Sequence, residues 1–129
     1  MDSQKDIEAL EKLVVQLQGL HDEISQLAKK SPNDGLNKFK LKIVNKVLVS
    51  GNEILKGRYR PFDDFSVFAE DDLPTNSDVT MILTQYIEQA ERFRSDNVIY
   101  SAHRWQYILN GVPSNIDAKM ATKVGGDKK

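Results

Sequence analysis

The chain contains no cysteine, which removes disulfides, thiolate metal sites and cysteine nucleophiles together. Only two histidines are present, His21 and His103, a poor supply for a metal centre. No apolar run approaches the ~20 residues that a bilayer-spanning helix needs. The opening stretch MDSQKDIEAL is too polar for the apolar segment of a secretory signal. No glycine-rich phosphate loop or nucleophile elbow occurs. The acids between residues 63 and 72 lack the alternating oxygen ligands and central glycine of a calcium loop. These absences point to a cytoplasmic protein with no membrane contact, and to no enzyme: no catalytic, cofactor or metal site is expected.

What remains is ordinary for a folded domain. Of 129 residues, 40% are hydrophobic and 29% charged, enough to bury one core. The net charge of −1 conceals two opposed blocks. Residues 36–60 carry seven bases (Lys38, Lys40, Lys42, Lys46, Lys56, Arg58 and Arg60) against Glu53. Residues 61–75 carry Asp63, Asp64, Glu70, Asp71 and Asp72 and no base. Such blocks can neutralise each other within the fold or across a subunit boundary. Alternatively, the bases can form a surface that meets nucleic acid.

Periodicity predicts a mostly α protein, a three-helix bundle with a long amphipathic first helix. Over residues 4–30, Ile7, Leu10, Val14, Leu17 and Ile24 alternate at three and four, the spacing of a heptad seam. Leu13, Leu20 and Leu27 widen that seam, and His21 falls at one of its a positions. A helix over 7–28 is ~33 Å long, and so broad a stripe needs partners. The turn formers Ser31-Pro32-Asn33-Asp34-Gly35 end it. A second helix is predicted at about 36–56, its apolar face built from Leu36, Phe39, Ile43, Val47 and Ile54 and supplemented by Val44, Leu48 and Leu55; Leu41 and Val49 lie away from it, which suggests cover on more than one side. Lys38, Lys42 and Lys46 recur every four residues along another face. A third is predicted over about 77–95, with N-cap candidates in Thr75-Asn76-Ser77-Asp78 and a stripe from Val79 to Phe93.

Between the second and third helices lies PFDDFSVFAEDDLPT. Its prolines confine it to a short turn or an ordered loop. Phe62, Phe65 and Phe68 are expected to close the open end of the bundle, with Asp63 and Asp64 beside them. The competing reading makes this acidic-aromatic element a docking site for a basic partner. Beyond residue 97 the pattern changes. Arg104–Leu109 alternates, and Asn110-Gly111 is a strong hairpin signal. A small hairpin with Val112–Ile116 and a short helix over 98–109 are both open, and Pro113 restricts any return strand to an edge. One domain over 1–116 and a disordered tail over 117–129 complete the expectation.

The function expected is a non-catalytic protein–protein interaction module, self-associating or acting as an accessory subunit of a larger assembly. Ile7, Leu10, Val14, Leu17 and Ile24 are the candidate oligomer interface. Lys38, Lys42, Lys46, Arg58 and Arg60 are the candidate contacts to a partner or to nucleic acid. A nucleic-acid-binding protein using the basic second helix is the alternative.

Overall fold

Each helix begins where the sequence supplies a cap. In the structure, a computed structural model describing residues 1–122, α1 spans Gln4–Lys30 and opens on a capping box between Ser3 and Asp6. The run from Ser31 to Gly35 then turns the chain. α2, Lys38–Ile54, starts from Asn37, whose side chain accepts the Lys40 amide at 2.8 Å. α3, Asn76–Asp96, opens on a second capping box, Thr75 with Asp78.

α1 and α3 pack most extensively and run antiparallel. At one end the carbonyl of Ser31 accepts the Asn76 side chain at 3.0 Å, and that of Pro32 accepts the Ser77 amide at 3.1 Å. The opposite end of α1 reaches the C-terminal sheet, where Ile7 is buried with Val98 and Tyr107. The main core takes Leu13, Leu17 and Ile24 from α1, Leu41, Val44, Val47 and Leu48 from α2, and Val79, Leu83, Tyr86 and Ala90 from α3.

The buried seam of α2 keeps most of the predicted face but shifts it: Leu36, Val44, Val47, Leu48 and Leu55 are buried, Leu41 and Gly51 join them, and Phe39 is 74% exposed. On a 3.6-residue helix Phe39 and Leu41 point to nearly opposite sides, so burying both would require cover on both sides of α2. The seam through Leu41 wins because it meets Tyr86, whose ring closes over Gly51. A Cβ at that glycine would stand 3.1 Å from the ring.

The C-terminal region folds as a three-stranded antiparallel sheet in the order β1-β2-β3, with β1 Val98–Ser101, β2 Arg104–Leu109 and β3 Val112–Asp117. Of the two readings open for this region the hairpin holds, as the β2–β3 pair turned by Asn110 (φ 52°) and Gly111 (φ 82°), and the helix over 98–109 does not form, since those residues are strands β1 and β2. β1 was not foreseen. Its connection to β2 places Ala102 and His103 at positive φ (53° and 66°), without the glycine or asparagine that usually announces such a turn. The expected tail also starts too early. Asp117 pairs with Gln106, and residues 118–122 lie against α3. Residues 123–129 of that tail lie outside the described residues.

Candidate binding surface

The seam proposed for self-association is occupied within the chain. Ile7, Leu10, Leu17 and Ile24 are each at most 1% exposed, and Val14 is half-buried against the same core. A stripe of this width is what one helix needs to meet two others and a sheet at once. His21, at the same interface, lies with Nε2 3.1 Å from Oγ1 of Thr84. That hydroxyl already donates to the Thr80 carbonyl, so the imidazole is the donor here.

The candidate basic contacts divide into two groups. Arg58 pairs with Asp96 at 2.8 Å, and Tyr59, edge-on to Phe93, donates to the same carboxylate at 2.5 Å. Burial, then the Asp96 hydrogen bond, push the Tyr59 phenol above its usual range. Arg60 reaches the Phe65 carbonyl at 3.1 Å and the Ser66 hydroxyl at 3.2 Å. Both arginines therefore fasten the segment after α2 to its neighbours. Lys40, likewise, bridges to Glu23 of α1 at 2.7 Å.

Lys38, Lys42 and Lys46 stay exposed, and among the described residues none pairs with an acid. They share the outer side of α2 with Phe39, Val49 and Glu53, all exposed. This face repeats at three and four residues, so it forms a second seam opposite the buried one. Beside it, Ala9, Lys12, Leu13 and Gln16 of α1 face Lys46, Val47, Ser50 and Ile54 across a shallow groove of about 360 Å³.

The acidic-aromatic segment runs along the flank of α2 rather than over the end of the helices. Asn45 exchanges two hydrogen bonds with the main chain of Phe68 (2.9 and 3.0 Å), and Asn52 donates to the Ser66 carbonyl at 2.9 Å. These two asparagines are seven apart, two helical turns, and so hold an extended strip against one flank. Asn52 also accepts the Tyr86 hydroxyl at 2.6 Å, which links the strip to α3. Phe62, Phe65 and Phe68 form a string of edge contacts with centroids 6.1 and 5.1 Å apart, half-buried against the main core. Asp63 and Asp64 are exposed on a turn between them. Residues 66–68 thus lie along the basic helix through amide-to-backbone bonds, while Lys40 and Arg58 pair with Glu23 and Asp96, outside the acidic block.

A further polar cluster went unread in the sequence. Arg94, 6% exposed, forms a two-point pair with Glu91 (2.9 and 2.6 Å) and donates to the carbonyls of Lys119 and Met120. Burial pushes the Glu91 carboxyl up, but Arg94 and the Thr122 and Ser95 hydroxyls outweigh that and hold it below the usual range. Nearby, buried Tyr107 donates to Glu11 at 3.1 Å, and burial with that charge pushes its phenol up to about 12. This cluster binds the chain's own C-terminal segment. Arg94 also suits the dipole of the last turn of α3, and only the tertiary contacts to residues 119–120 distinguish its second role.

Among the described residues no group of three or more His, Asp and Glu could hold a metal ion, and no helix is long and apolar enough to cross a membrane. Compared with known protein families, curated proteins and solved structures, the chain matches none.

Proposed function

We propose that the protein is a non-catalytic protein-binding module, an accessory subunit that docks through the outer face of α2. The three helices would serve as a bundle-like scaffold that presents this face. Phe39, 74% exposed between Lys38 and Lys42, carries the reading. A large aromatic side chain ringed by lysines fits a partner surface with an apolar pocket and acids around it. Exposed lysines would steer and orient such a partner more than they tighten it.

The alternative, nucleic-acid binding by the same helix, has less support. Arg58 and Arg60 are committed to Asp96 and to the loop, which leaves fewer cations for phosphate. The acidic strip lies along the flank of the same helix and would repel a polyanion. A photo-crosslinker at position 39 tests the choice. The expected result is a crosslink to one stoichiometric protein partner, lost in the Lys38→Glu, Lys42→Glu, Lys46→Glu variant. Salt-sensitive binding of fluorescent DNA or RNA, abolished by that same variant, would transfer the function to the alternative.

A further inference from the structure

α2 carries more apolar surface than the core covers. Phe39, Ile43, Val47 and Ile54 recur at four and seven residues along one side of the helix. Val47 and Ile54, with Leu13 of α1, line the groove between the two helices. Ile43, half-buried, and Phe39, exposed, continue that line toward the start of α2. From Phe39 to Ile54 it runs about 23 Å, close to four turns of helix. The Lys40–Glu23 bridge sets α1 and α2 antiparallel, so the groove follows both.

The two flanks of this line differ in charge. Toward α1, Lys12 and Gln16 face Lys46 and Ser50 across the groove, with Glu53 at one end. None of these side chains bonds or pairs with another among the described residues. On the other flank Asn45 and Asn52 hold the strip that carries Asp63, Asp64 and Glu70–Asp72. An acidic partner is repelled from the strip and drawn to the lysines on the α1 side. A second copy of this face would bring lysines against lysines, which opposes self-pairing here.

We infer that the groove between α1 and α2 receives an acidic amphipathic helix of a partner protein. Its apolar ridge would lie on Phe39, Ile43 and the groove floor, with carboxylates over Lys12 and Lys46. The inference rests on the proposed docking through α2 and adds α1 to the contact. Two neighbouring helices leave a channel into which a third packs its ridge of side chains. The main-chain groups of α1 and α2 are spent within those helices, so the occupant must satisfy its own, as a helix does.

The probe is a synthetic peptide of about 16 residues, the length of the apolar line, with leucines at three- and four-residue spacing and glutamates on both flanks. Its fluorescence anisotropy with the full chain is read beside photo-crosslinking to the cellular partner from positions 39 and 16. The expected result is salt-sensitive binding that Lys12→Glu weakens about tenfold and that Gln16→Trp obstructs. Both residues are exposed, so each variant should keep the wild-type circular dichroism spectrum. Val15→Glu, on the far side of α1 and 71% exposed, should bind as wild type does. No binding of the acidic peptide overturns the inference. So does equal binding of a peptide with lysines in place of its glutamates, or binding that Lys12→Glu and Gln16→Trp both leave intact. Crosslinking of the chain to itself from either position assigns the groove to a second copy and overturns it too. A partner crosslinked from position 39 but not from 16 removes the groove and leaves docking through α2 standing; no crosslink from either position removes both.

Discussion

α1 and α2 carry apolar stripes of similar appearance in the sequence, yet the fold treats them oppositely. The seam of α1 is covered, with Leu10 and Leu17 fully buried and Val14 half-buried. α2 buries the line through Leu41, Val44 and Leu48 and turns Phe39 and Val49 to solvent. α1 lies among three neighbours, namely α2, α3 and the sheet, and a wide stripe is the geometry that serves them. α2 meets the core along one seam and the acidic strip along its flank, which leaves an outer face with Phe39 and Val49 exposed among the described residues. Breadth of an apolar stripe therefore reports the number of partners. Which side chains are left over depends on where those partners stand.

The sharpest way to break this contrast is to damage the covered helix. Leu17→Ala should cost about 2–5 kcal/mol, the range for a buried leucine whose site cannot collapse. A thermal melt checks it; a loss under 1 kcal/mol would mean the α1 seam is less tightly packed than its exposure implies. Arg94→Ala is expected to come next. Removing one member of a buried pair strands the other and costs about 3 kcal/mol, and residues 118–122 lose their anchor. Faster proteolysis near Met120 together with a lowered melting temperature is the expected readout.

Smaller effects are expected from pH. Tyr107 titrates near 10.0 when unfolded and at about 12 in the fold, so the unfolded chain gives up its proton first. Its contribution is complete below pH 10 and is lost as the pH rises toward 12. Denaturant melts of wild type should weaken across that window, and Tyr107→Phe should flatten the slope. Glu91 has the opposite sign. Its folded carboxyl lies below the ordinary 4.5, so its contribution is present above that value and fades as the pH drops through the folded one.

The smallest effect on stability should come from the outer face of α2. Phe39→Ser, or Lys42→Glu with Lys46→Glu, should move folding by no more than about 0.5 kcal/mol per site. Under the proposed function the same changes should strongly reduce partner capture. A large drop in melting temperature on Phe39→Ser would show that this side chain packs inside the fold and would erase the contrast with α1.

Much of the fold was legible because its signals are local. The helix starts are fixed by Ser3–Asp6, Asn37 and Thr75–Asp78, whose side chains satisfy amides three residues away. The β2–β3 turn is written in Asn110-Gly111, since those residues accept positive φ cheaply. β1 was illegible for the converse reason. Ala102 and His103 resist that conformation, and they adopt it because the strands on both sides are held. Position on a helix wheel did not reveal that Phe39 would face solvent, nor charge alone that Arg58 would seek Asp96 some 38 residues away.

Sequence by itself therefore determined the three helices, the cap of the third and the β2–β3 turn. Each follows from hydrogen bonds or side-chain spacing within a few residues. Tertiary structure alone decided which side of α2 is buried, that residues 98–101 add a third strand, and that 118–122 is captured by Arg94. Those outcomes depend on competition among distant segments for the same apolar surface and the same main-chain groups, and no local pattern records who wins.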